Sequence, residues 1–211
     1  MTKSMEITQQ NFSIPYYQPY YQQHQVFPHT YISNLQTQVL ACPYLDLNIL
    51  SNYFVETKGF SVVFRRSALG KVKKHFPFFK SYLELALRPK CNAFYLNLLL
   101  LKEGSRVQAH TDHSLASYCE TIEHPIIVSI LYVKIPANLQ GGELLLHYSS
   151  NQVFQIRPQE NTMLYFEGNL THSVNTVNSP GERISLVCEQ YSLSEAIQQI
   201  PEFTIQSSTI N

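Results

Sequence analysis

Between Pro89 and Tyr191 the chain runs through short strand-like segments separated by turn residues, with no helical pattern between them. This succession limits the fold more than any other feature. Phe94 to Leu101 is apolar, Lys102-Glu103-Gly104-Ser105 turns, and Arg106 to Asp112 runs back. Ile126 to Val133 is rich in β-branched residues, and Gly141-Gly142 marks a turn. Glu143 to His147, Val153 to Ile156, Thr162 to Phe166, His172 to Val177 and Arg183 to Tyr191 follow. Strands at this turn-punctuated spacing predict an all-β sandwich or barrel. Upstream, Phe60 to Phe64 reads as a further strand. Phe76 to Leu87 reads as an amphipathic helix, with Phe79, Tyr82, Leu83 and Leu87 at helical spacing. The expected architecture is mainly β, a double-stranded β-helix (jelly roll) with supporting N-terminal helices.

The 211 residues fit one such domain preceded by an extension. Gln9 to Thr30 is rich in Gln and Tyr and carries Pro15, Pro19 and Pro28, so it reads as irregular or extended. We divide the chain into a Tyr/Gln-rich arm over residues 1–35 and a single domain over residues 36–211. Hydrophobic residues make up 44% of the chain, enough for a sizeable core and too many for a disordered protein. Lys and Arg balance Asp and Glu, for a formal net charge of zero. That speaks against nucleic acid as a partner, since its binders carry a basic excess. Arg65, Arg66, Lys71, Lys73, Lys74 and Lys80 form a local exception, read as a solvated face or as a positive rim around a binding mouth. The longest apolar stretch, Phe94 to Leu101, is too short to span a membrane. Cys42, Cys91, Cys119 and Cys188 form no CxxC pair, and Met1 to Gln23 lacks an apolar leader core. A reducing, cytoplasmic setting is therefore expected.

His110-Thr111-Asp112 carries the chemistry. On a strand, residues i and i+2 share a face, so an imidazole and a carboxylate can meet one metal ion. Two histidines and one carboxylate leave open coordination positions, the pattern of non-haem ferrous oxygenases. His172 follows the Glu167-Gly168-Asn169 turn and could supply the third ligand. Arg183 opens the next strand with Ser185 on its face, and a guanidinium fork matches a carboxylate bidentately.

The ordered combination of His-x-Asp, Gly-Gly-Glu-Leu, His and Gly-Glu-Arg-x-Ser resembles the 2-oxoglutarate/Fe(II) dioxygenases, and their prolyl-hydroxylase-like branch most of all. The resemblance covers Phe94 to Tyr191. It implies that His110, Asp112 and His172 bind Fe(II), and that Arg183 holds the distal carboxylate of 2-oxoglutarate with Ser185 as helper. It also implies that O2 is consumed and that succinate and carbon dioxide leave. Tyr132 matches a strand position from which related hydroxylases offer a phenol to the same carboxylate. No catalytic residue beyond the metal ligands is implied. Halogenating relatives lack the carboxylate ligand, so Asp112 implies hydroxylation of an unactivated C–H bond.

One departure concerns the strand before His-x-Asp. Many relatives place a Tyr or Asn shortly before that motif to contact 2-oxoglutarate, whereas this chain has Leu98 to Leu101, with Tyr95 and Asn97 upstream as substitutes. Among the remaining histidines, His113 is the one best placed to face a substrate. Ser114 to His124 is long enough to form a lid. The resemblance implies a small-molecule or peptide substrate, with an amino acid or peptide side chain as the leading class. A small metabolite, a cupin-like metal-binding protein and an interaction module are the competing readings.

Overall fold

The computed structural model describes residues 18–47 and 52–209. In chain order it contains β1 (Tyr20–His24), α1 (His29–Leu40), β2 (Asp46–Leu47), β3 (Phe54–Val55), β4 (Lys58–Arg65), α2 (Leu69–His75) and α3 (Lys80–Ala86). There follow β5 (Ala93–Leu101), β6 (Arg106–His110), β7 (Ile127–Lys134), β8 (Leu144–Ser149), β9 (Gln152–Ile156), β10 (Thr162–Glu167), β11 (Thr171–Val174), β12 (Arg183–Tyr191) and β13 (Phe203–Gln206). The larger sheet runs β1-β10-β7-β12-β5-β4-β13, with β2 also on β4. The smaller runs β3-β6-β11-β8-β9, and the strand pairs are antiparallel. This is the expected jelly roll with helices on one side.

The two central strands explain the layering. β5 is buried along its whole length, and β12 nearly so, as expected for strands covered on both faces. Leu96, Leu98, Leu100, Ile184, Leu186 and Cys188 point to the helix side, where they pack with Leu35 and Val39 of α1 and Phe79, Tyr82 and Leu83. The alternate residues face the smaller sheet. There Leu99, Leu101, Ile130 and Tyr132 meet Val107, Val174, Leu144 and Leu146. This second face holds the candidate site.

Local chemistry moved some boundaries. The helix expected from Phe76 begins instead as a 3-10 turn at Pro77–Phe79 and becomes α3 at Lys80. Phe76 is extended (φ −122°, ψ 73°), because the proline ring after it disfavours a helical conformation. The strand expected to reach Asp112 stops at His110. The arm boundary expected at residue 35 falls inside α1, where Ile32, Leu35 and Val39 form one buried face. Within the Tyr/Gln-rich segment, β1 pairs along β10, while residues 1–17 lie outside the described residues. No helix among the described residues is long and apolar enough to cross a membrane.

Gly141 shows how tightly the turns are fixed. Its φ is +72°, and a Cβ there would lie 1.9 Å from the Thr176 carbonyl oxygen. Gly70 in α2, by contrast, has open space around its missing Cβ. Gly141→Ala is expected to lower the unfolding free energy by about 1–3 kcal/mol or more. Gly70→Ala is expected to raise it by roughly 0.4–1 kcal/mol. Urea denaturation of both variants checks the pair, and a Gly141→Ala protein as stable as the parent contradicts it.

Candidate metal and cosubstrate site

The β6–β11 pairing sets His172 directly opposite His110. Their rings lie 4.4 Å apart, centre to centre, and tilt by 51°. Asp112, just beyond β6, reaches both: Oδ1 is 3.4 Å from His110 Nε2, and Oδ2 is 3.6 Å from His172 Nε2. One donor atom from each residue lies within 4.8 Å of the other two. These distances are too long for good hydrogen bonds, and Asp112 Oδ2 is buried without a partner. A cation between the three side chains would satisfy it.

The tautomers suit that role. His110 Nδ1 lies 2.8 Å from the Gln108 carbonyl oxygen, and His172 Nδ1 lies 3.1 Å from that of Leu170. A carbonyl only accepts, so each Nδ1 carries the hydrogen and each Nε2 turns its lone pair inward. The rings are further held by neighbours. Tyr53 stacks on His110 at 5.0 Å and 12°, and Phe166 meets His172 edge-on at 5.0 Å. Burial disfavours a charged His172 and keeps it neutral. Burial also opposes protonation of His110, but the adjacent Asp112 carboxylate outweighs it and raises its pKa. Burial pushes the Asp112 carboxyl up, but any positive charge on the imidazoles around it acts the other way, and the net direction is down.

A cavity of about 380 Å³ opens beside these residues. Along β12, Arg183, Ser185, Val187 and Glu189 line it, and Tyr95, Asn97 and Leu99 line it from β5. Arg183 is 2% exposed, and both its Nε and one terminal nitrogen lack partners. Tyr132 Oη, Ser185 Oγ and Asn97 Oδ1 are likewise buried and unpartnered. Arg183 sits 5.4 Å from the centre of the Tyr132 ring, so the cation and the phenol are neighbours. Burial acts on both groups first: it lowers the pKa of Arg183 and raises that of Tyr132. Leaving so many buried polar atoms unmatched is costly. A carboxylate at this end of the cavity would accept from Arg183, Tyr132 and Ser185 together, so the residues present fit both an iron ion and 2-oxoglutarate.

All six residues singled out in the sequence thus fall in one region, five of them on the cavity wall and Tyr132 just behind Arg183. Tyr95 and Asn97, the substitutes upstream of the leucine run, also face the cavity. His113 is exposed on its rim and bonded through Nδ1 to the Thr111 carbonyl. The segment expected as a lid is built into the wall instead. Its Leu115, Cys119 and Ile122 are buried against Tyr95 and Tyr191. None of the basic residues between Arg65 and Lys80 lines the cavity. Arg65 and Arg66 bind backbone carbonyls, and Lys71 and Lys73 pair with Glu202 and Glu84. Sequence reasoning missed Tyr53 and Glu189. Tyr53 carries no sequence signal. Glu189 could have been found, because it shares the face of Arg183 and Ser185 on a buried strand.

Residues 94–188 match the model of the 2OG-Fe(II) oxygenase superfamily. No curated protein sequence matches the chain. Among solved structures, the chain resembles a prolyl-4-hydroxylase from Pseudomonas putida at TM-score 0.57 and 15% identity, over 83% of this chain and 94% of that one. It resembles a Trichoplax adhaerens prolyl hydroxylase, solved with a hypoxia inducible factor peptide fragment, at TM-score 0.56 and 13% identity, over 82% and 84%. A viral collagen prolyl hydroxylase from Paramecium Bursaria Chlorella virus-1, solved with 2OG, gives TM-score 0.51 and 16% identity over 83% and 97%. At such identities the likeness speaks to the fold. The family match runs from β5 into β12 and takes in the His-Asp-His cluster, which could hold an iron ion, and the fold agrees with it.

Proposed function

We propose that this oxygenase hydroxylates an unactivated C–H bond in an amino acid or peptide side chain, with His110, Asp112 and His172 as the iron ligands and Arg183 as the anchor of 2-oxoglutarate. One observation carries the assignment: a buried Asp112 oxygen and a buried Arg183 fork, both unpartnered, open onto the same cavity. When bound, iron and 2-oxoglutarate supply the oxidising chemistry, and succinate and carbon dioxide leave. The chain's own residues do the positioning. The carbonyls of Gln108 and Leu170 hold the imidazoles in the ligating tautomer. Arg183 fixes one end of the cosubstrate, with Tyr132 and Ser185 beside it. Leu99, Ile130, Val174 and Val187 line the cavity with hydrocarbon and keep water from its walls.

The substrate class rests on the prolyl-hydroxylase neighbours, one of them solved with a peptide. A peptide or amino acid also suits a chain with no net charge, which offers a phosphate backbone no general attraction. The four cysteines are buried and free, which supports a reducing, cytoplasmic compartment.

His172→Ala is expected to lower Fe(II) affinity by more than the roughly 10–100-fold typical of losing an outer-shell partner, while the domain stays folded. Metal analysis of purified protein reads this, and unchanged iron content would remove His172 from the site. Arg183→Ala is expected to raise the apparent KM for 2-oxoglutarate about tenfold or more, since a charge-assisted pair is lost. A rise below about threefold, roughly 0.65 kcal/mol, would point to another anchor. For the substrate, iron-loaded enzyme with 2-oxoglutarate is incubated with separate pools of amino acids, proline-containing peptides, methylated oligonucleotides and metabolites. The gain of one oxygen in an amino acid or peptide pool is expected. Demethylated oligonucleotide, or product only among other metabolites, contradicts the substrate class and leaves the iron site untouched.

A further inference from the structure

The cavity contains a second carboxylate that neither metal nor cosubstrate uses. Glu189 is 4% exposed and lines the wall from the end of β12 opposite Arg183. Its oxygens accept from Ser114 Oγ at 2.5 Å, from the Ser114 backbone N–H at 3.1 Å, and from the Tyr191 hydroxyl. All three donors are neutral. A carboxylate offers about four lone-pair sites, so the set leaves one for a further donor.

Charge balance identifies that donor. Among the described residues lining the cavity, Arg183 is the only lysine or arginine, against the two carboxylates of Asp112 and Glu189. Arg183 lies six residues from Glu189 along an extended strand, about 20 Å at roughly 3.3 Å per residue. A ferrous ion and a 2-oxoglutarate dianion cancel each other. One negative charge therefore stays uncompensated in a shielded site, where an unpaired carboxylate is expensive. Burial first, and the nearby charge of Asp112 second, push the Glu189 carboxyl up to about 8. Val187, two residues back on the same face, and its cross-strand partner Ile130 line the cavity with hydrocarbon, so a cation there would be desolvated and strongly held.

We infer that Glu189 receives an ammonium group of the substrate, so that this oxygenase selects a cationic amino acid or peptide. The inference rests on the functional reading above and adds the charge that the substrate brings. An ammonium could come from the α-amino end or from a side chain, and three probes separate the two. Norleucine methylamide carries only an α-ammonium, N-acetyl-lysine methylamide only a side-chain ammonium, and N-acetyl-norleucine methylamide neither.

Each probe is titrated calorimetrically into anaerobic, iron-loaded protein already saturated with 2-oxoglutarate. At least one ammonium probe is expected to bind about tenfold or more tightly than the neutral one, and which probe does so names the source. Glu189→Gln is expected to bring that ratio below about threefold. If Glu189→Gln unfolds, Glu189→Asp replaces it. That variant keeps the charge but withdraws it by one methylene, so it must weaken the ammonium probe alone. Equal binding of all three probes, no binding of any, or a preference that survives at residue 189 overturns the inference. Failure of the prior 2-oxoglutarate titration would instead overturn the functional reading.

Discussion

The rest of the site depends on one register: His172 of β11 facing His110 of β6. Residues directly opposed on an antiparallel pair have Cβ atoms about 4.5–5.5 Å apart, close enough for two imidazoles to share an ion. A slip of one residue would turn His172 to the other face of the sheet and leave Asp112 with one partner. The register is held from both sides. Val174 packs against Val107 and Leu144 in the inter-sheet core, while the backbone carbonyls of Gln108 and Leu170 fix the rings. The candidate metal centre is thus a consequence of sheet packing before it is a constellation of ligands.

β12 supplies the complement. One face of this strand is greasy and joins the helices, which anchors it at the middle of the larger sheet. The other face places a cation at its start, a hydroxyl two residues on, and a carboxylate near its end. Such groups are usually excluded from strands buried on both sides. They survive here only if a ligand completes their hydrogen bonds, so the unmatched atoms of Arg183, Ser185, Tyr132 and Asp112 are best read as a mould of what binds. A rigid wall with a few convergent polar groups is what preorganised binding asks for.

Much of this was legible in the sequence, for reasons that differ by element. The strands from Phe94 to Tyr191 announced themselves because turns bound them and because β5, β7 and β12 are too apolar for any but buried positions. The candidate metal residues stood out because His110 and Asp112 sit two apart and because few other residue types can do such work. Arg183 followed from the Gly-Glu-Arg-x-Ser pattern, and Ser185 from sharing its face. What failed was long-range. Nothing in Tyr53 says that β3 will pair with β6 and lay its ring on His110. The pairing of β1 with β10 is a tertiary event that a run of Gln and Tyr does not encode locally. Pro77 should have marked a helix start, and Glu189 was overlooked although the alternation that put Ser185 on the face of Arg183 puts it there too. The lid reading of Ser114 to His124 weighed length alone and missed that Leu115, Cys119 and Ile122 share a buried cluster.

The central claim is that the His110-Asp112-His172 cluster and Arg183 hold opposite ends of one metal–cosubstrate unit. The most direct measurement is an anaerobic crystal structure of the protein with Fe(II) and 2-oxoglutarate. The account predicts one metal ion bound by His110 Nε2, His172 Nε2 and an Asp112 oxygen at roughly 2.0–2.2 Å, with the distal carboxylate of 2-oxoglutarate on the Arg183 guanidinium. A metal bound elsewhere, or a 2-oxoglutarate whose distal carboxylate lies away from Arg183, would contradict it.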